Sequence, residues 1–161
     1  MVESQRAPIR SYRDLKVWQR AMDLTVRTYE ITRRFPAEEK YGLVSQMRRA
    51  AASVPANIAE GQARRSTNEF LQMLGIARGS LAELATFVTL SNRLELIQSE
   101  TGDSLLEECA EIHRLMNGLM RGAVGLGMNG SGQWLGGVDI SLISVFPLQI
   151  AANRRKAAHS Q

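Results

Sequence analysis

Five cations, Arg13, Lys16, Arg20, Arg27 and Arg34, fall within about 60° of one another when their stretch is wound as an α-helix. Such a ridge suits a phosphate backbone, because each Lys or Arg that neutralises a phosphate releases a condensed counterion. The same positions also fit a solvated face: Asp23–Arg27 and Glu30–Arg34 are i,i+4 pairs, and alternating charge is common on exposed helices. Two adjacent pairs, Arg48-Arg49 and Arg64-Arg65, add basic character to the next segment. Neighbours in a helix diverge by about 100°, so one member of each pair faces a given surface unless several copies assemble. Glu60, Glu69 and Glu83 are possible carboxylate partners for Arg48 or Arg49. On the residues alone, nucleic-acid binding and a plain protein-interaction module stand level.

Catalytic chemistry finds no comparable support. The histidines are His113 and His159, and His113 has no cysteine or second histidine at ligand spacing, so no metal site is expected. A di-iron bundle needs Glu-x-x-His on two helices. Here Ala110 stands where that motif needs its glutamate, and Glu111 precedes His113 by only two residues. Glu107, Glu108 and Glu111 resemble an exposed acidic face, and Cys109 sits in an apolar stripe as a small buried residue. No nucleotide-binding glycine motif or nucleophile elbow occurs. The expectation is a non-enzyme with no cofactor and no small-molecule substrate.

The elements that position these residues are helical. Leu43, Met47, Ala50, Val54 and Ile58 form one stripe at three-to-four spacing, and Phe70, Leu74, Ala77, Leu81, Leu84 and Val88 form another. A hinge at residues 61–65 separates them, and Ser66 with Glu69 has the form of a capping box. A first helix is expected over residues 14–35, stopped by Pro36. Its apolar residues, Trp18 among them, spread over about 220°, twice what a surface helix needs, so it is expected to be covered on two sides. Pro55 lies inside the second helix and predicts a kink, with Asn57 placed to meet the freed backbone groups. In a third helix over residues 66–97, Gly75 and Gly79 are spaced to admit a bulky neighbour such as Trp18 or Tyr29. After a turn at residues 100–103, Leu105, Cys109, Ile112, Met116, Leu119 and Ala123 define a fourth. The pattern predicts an all-α, antiparallel up-down-up-down four-helix bundle over residues 12–124, with a kinked second helix.

A flexible arm is expected over residues 1–11 and an irregular tail over residues 125–161, since residues 118–137 hold 8 of the 13 glycines. A lone strand-like run follows at residues 138–146. The one cysteine excludes an internal disulfide. No signal peptide or bilayer-spanning run is evident, which predicts a cytoplasmic protein without a membrane partner. Net charge is +4, distributed as +6 over residues 1–78, −4 over 79–127 and +2 over 128–161. The first half therefore reads as the basic region.

Several separated words resemble one known family. They are residues 12–19 (YRDLKVWQ, with Trp18), Phe35-Pro36, residues 41–51 (YGLVSQMRRAA, opening on Tyr41 and Gly42), residues 53–61 (SVPANIAEG, with Pro55, Asn57, Glu60 and Gly61) and residues 77–84 (ARGSLAEL, with Gly79 and Glu83). In that order they are similar to the bacterial four-helix-bundle proteins encoded in 23S rRNA intervening sequences. The same family includes the accessory variability determinant of diversity-generating retroelements. The resemblance covers residues 12–100 by motif and 100–123 by pattern. It implies a homopentameric barrel, no catalytic activity and, in the retroelement branch, a basic surface that binds RNA and a reverse transcriptase. The glycine-rich tail departs from the family pattern.

Overall fold

The computed structural model describes residues 11–126; residues 1–10 of the arm expected over 1–11, residues 127–161 of the tail expected over 125–161, and the strand-like run lie outside them. Four helices follow in order: α1 (Lys16–Thr32), α2 (Leu43–Ala63), α3 (Thr67–Arg93) and α4 (Ser99–Leu126). Adjacent pairs run antiparallel. Thr25 and Thr32 of α1 meet Ala51 and Arg48 of α2, and Ser53 and Arg49 of α2 meet Ser80 and Glu83 of α3. Arg78 of α3 meets Asn117 of α4, and Arg20 and Arg27 of α1 meet Glu111 and Glu108 of α4. These registers are compatible with an up-down-up-down bundle.

Both stripes read from the sequence face the core. Met47, Ile58, Phe70, Leu74, Leu84, Leu105, Ile112 and Met116 lose essentially all contact with solvent. Each such side chain contributes roughly 1.5–3 kcal/mol of transfer free energy. The core also holds Thr28, Thr32 and Ser91, tolerated because each hydroxyl donates to a carbonyl four residues back in its own helix, at 2.8 Å in all three cases.

Helix ends differ from the expected ones for local reasons. Residues 12–14 form a separate 3-10 turn under a full Ser11–Asp14 capping box, so α1 begins at Lys16 and Ser11 belongs to a cap rather than to an arm. The amides of Arg34 and Phe35 bond three residues back, which tightens the chain before Pro36 and ends α1 at Thr32. A second 3-10 turn, Ala37–Lys40, precedes α2, and the Glu39 carboxylate accepts from the Leu43 amide at 3.1 Å. Residues 37–63 bend by 38° in all.

The hinge after α2 is shorter than expected. Gly61 is buried inside α2, where an added Cβ would stand 2.9 Å from the Met73 Cβ and 3.0 Å from the Phe70 ring. That glycine lets α2 and α3 approach, and the chain turns at residues 64–66 instead. Ser66 caps α3 as expected, accepting from the Glu69 amide, although the Glu69 carboxylate meets the Ser66 hydroxyl rather than its backbone amide.

At the far end of α3, Glu95 adopts φ 59°. Its amide bonds to the Asn92 carbonyl, and the Leu96 amide bonds to that of Ser91. This Schellman closure ends α3 at Arg93 and lets α4 start at Ser99, so the turn expected at residues 100–103 is the first turn of a helix. Gly102 there makes room for the Asn92 side chain. α4 also continues through Gly118, Gly122 and Gly125 to Leu126, because packing outweighs the propensity cost that placed its end at residue 124. By length and composition α3 is apolar enough to cross a membrane, yet Arg78 and Glu83 interrupt it and its inner stripe packs on α2 and α4.

Candidate nucleic-acid interface

The basic ridge of α1 is built as its spacing requires, but the fold brings acids to it. Glu108 and Glu111 lie one turn apart on α4 and face Arg27 and Arg20, two turns apart on α1. The Arg20 Nε stands 3.2 Å from the Glu111 carboxylate. Arg27 pairs with Glu108 and also donates to the Ser104 hydroxyl at 3.0 Å. These four side chains are about one third to one half exposed, so each pair contributes at most about 1 kcal/mol. Their consequence for recognition is larger than for stability. Two of the five ridge cations are neutralised in place, and Glu108 and Glu111 form half of an inter-helix ladder rather than an exposed acidic face.

The Arg-Arg pairs are similarly engaged. Arg49 meets Glu83 across the α2–α3 seam at 2.5 Å and donates to Gln46, while Arg64 pairs with Glu60 one turn back on α2. Arg48 takes no carboxylate among the described residues. Its Nε donates to the Thr32 hydroxyl at 2.9 Å, and its guanidinium lies over the Tyr29 ring at 4.8 Å. Arg13 lies 5.7 Å from the centre of the Tyr12 ring. Lys16, Arg34 and Arg65 are exposed and make no ion pair among the described residues. The nine cations read from the sequence thus do not form one surface. The sequence reading passed over Arg114 and Arg121 on α4, which are exposed and also make no ion pair among the described residues. Only the pairing of α4 with α1 shows them to be neighbours of the α1 start.

Trp18 meets the Tyr12 ring edge-on, with centroids 5.2 Å apart. Tyr41 is 85% exposed, with Lys40 over its ring, and Gly42 is the N-cap of α2. Pro55 has no amide to give the Ala51 carbonyl, and Thr25 of α1 fills that place with a 2.9 Å hydrogen bond. Asn57 does not meet the freed group. Its amide donates to the carbonyl and hydroxyl of Ser53, whose hydroxyl in turn meets that of Ser80.

Two helix faces remain uncovered among the described residues. Met22, Val26 and Tyr29 form an outward stripe on α1, with Val26 54% exposed. That is the surplus of the wide apolar arc. On α3, no atom lies within 4 Å of a Cβ built on Gly75 or Gly79, so neither Trp18 nor Tyr29 of the same chain fills that space as the spacing had suggested. Ile76 and Leu90 are exposed alongside them. Thr86 and Thr89 are exposed on this helix, their hydroxyls donating back to the Ala82 and Ala85 carbonyls. Only 28% of the most apolar segment of α3 is buried. Among the described residues, no three His, Cys, Asp or Glu side chains stand close enough to share a metal ion. Cys109 is buried, and desolvation pushes its thiol up to about 11, with its backbone hydrogen bond a smaller opposing effect.

No functionally curated protein matches the chain. Among solved structures, a protein of unknown function from the S23 ribosomal protein family of Bacteroides thetaiotaomicron VPI-5482 superposes with a TM-score of 0.61 at 25% identity. The match covers 65% of this chain and 98% of that one. The model of the 23S rRNA-intervening sequence protein family matches residues 13–118, which span the first turn through most of α4. The words in YRDLKVWQ through ARGSLAEL and the bundle they build agree with it, and the chain belongs to the 23S rRNA-intervening sequence protein family.

Proposed function

We propose that this protein is a non-enzymatic bundle that assembles with copies of itself and, as an assembly, contacts structured RNA. The observation that carries the reading is the pair of uncovered faces: a bulky ridge on α1 and a flat face of glycine, alanine and threonine on α3. The two helices stand diagonally across the bundle, so joining the ridge of one copy to the flat face of the next is a head-to-tail contact. Contacts of that kind close into a ring when the rotation permits, and the family resemblance points to five copies. The RNA partner is supported by the exposed cations that make no ion pair among the described residues.

Sedimentation of the full chain and of Val26→Glu tests the assembly. Val26 is 54% exposed, so the variant is expected to stay helical and to sediment as a monomer. A wild-type monomer at micromolar concentration would sink the reading.

A second reading, a homo-oligomeric scaffold that binds no nucleic acid, is favoured by the ion pairs of Arg20, Arg27, Arg49 and Arg64. Residues 11–126 are also close to neutral, with 15 Lys/Arg against 14 Asp/Glu. Titration with an RNA hairpin over a salt series separates the two. Log affinity is expected to fall by about 0.7–0.9 for each phosphate neutralised, whereas no binding at low salt leaves the scaffold.

A further inference from the structure

Near-neutrality of the bundle hides a sharp polarity. The antiparallel fold gathers the start of α1, the α2–α3 turn and the end of α4 at one end. The half of the bundle that contains them, residues 11–23, 54–79 and 113–126, carries eight Lys/Arg against four Asp/Glu. The other half, residues 24–53 and 80–112, carries seven against ten. We infer that the end carrying Arg13, Lys16, Arg65, Arg114 and Arg121 is the surface on which the RNA backbone docks, so that RNA meets the bundle end-on rather than along the α1 ridge. This inference rests on the RNA reading above and adds where the contact lies.

The four local acids offset half of the eight positive charges and leave this half a net +4. Asp14 accepts from the Ser11 amide at 2.9 Å, Glu69 accepts from the Ser66 hydroxyl at 2.7 Å, and Glu60 holds Arg64. Asp23 lies at the middle of the bundle, two turns from Lys16. The five cations are free of ion pairs among the described residues and come from two neighbouring helices, α1 and α4, the 3-10 turn before α1 and the α2–α3 turn. Four of the five are arginines, whose forked donors match phosphate oxygens better than an ammonium does. At the opposite end Arg33, Arg34, Lys40 and Arg93 stand among Glu38, Glu39, Glu95, Glu100 and Asp103, a setting that repels a polyanion.

The test compares two full-length variants that each remove four exposed positive charges. One is Lys16→Gln/Arg65→Gln/Arg114→Gln/Arg121→Gln, and the other is Arg33→Gln/Arg34→Gln/Lys40→Gln/Arg93→Gln. Affinity for a labelled RNA hairpin is measured over a salt series, with circular dichroism and sedimentation confirming that fold and assembly persist. Loss of about tenfold or more with a flatter salt slope in the first variant, and little change in the second, is the expected result. Equal losses in both, or a larger loss in the second, would overturn the end-on surface while leaving RNA binding intact. Absence of wild-type binding would remove the RNA reading itself. Displacement of the RNA by polyglutamate at equal charge concentration would reassign the positive end to an acidic protein.

Discussion

Thr25 is the side chain that makes a proline tolerable in the middle of α2. The Ala51 carbonyl loses its usual amide at Pro55, and the Thr25 hydroxyl reaches it from another helix while also bonding to Ala21. Replacing Thr25 with valine keeps the shape and leaves that carbonyl without a donor, at an expected cost of about 1–2 kcal/mol in urea unfolding. In a Pro55→Ala background the amide of residue 55 returns to the carbonyl, so the cost of Thr25→Val should shrink. Equal costs in the two backgrounds would break the assigned coupling. Cys109 gives a second residue-scale expectation. With its thiol near 11 in the fold and about 9 when unfolded, the unfolded chain loses its proton first as pH rises. Stability contributed by the neutral thiol is therefore full below about pH 9 and declines as pH approaches 11. A charged disulfide reagent at pH 8 should label Cys109 only after urea unfolds the protein.

Among the helices, the stripes were readable because a 3.6-residue period leaves a strong trace wherever one face is buried. The ends were less so. Glu95 sits in the left-handed region that glycine usually occupies, so nothing in the local sequence marks the close of α3, whereas Gly102 resembles a turn and instead accommodates Asn92. Gly61 misleads in the same way, since a missing Cβ serves a close helix crossing as well as it serves a turn. Glu95→Gly should relieve the strained conformation and raise stability by about 0.5–1 kcal/mol, read as a higher urea midpoint with an unchanged slope. No gain would mean that the Schellman geometry holds without strain. The candidate site was legible only in part. Arg13, Lys16 and Arg65 were visible as exposed cations, but no one-dimensional pattern tells that Arg20 and Arg27 meet carboxylates some 80 to 90 residues away.

For the whole molecule, the sequence by itself determined an all-α bundle, the inward stripes of α2 to α4, the surplus apolar width of α1 and membership of a family recognisable by its words. These follow from local periodicity, helix caps and side-chain volume, which act between residues a few positions apart. Only the tertiary structure decided which charges survive and where they stand. Read along the chain, positive charge fills the first half and negative charge the third quarter. Folded antiparallel, that arrangement becomes one positive and one negative end, because each helix returns residues distant in sequence to the same height. The same folding leaves Gly75 and Gly79 facing outward. The chain specified its elements by short-range chemistry, while its candidate interfaces arise from long-range juxtaposition, which charge pairing and helix direction fix only once the core has closed.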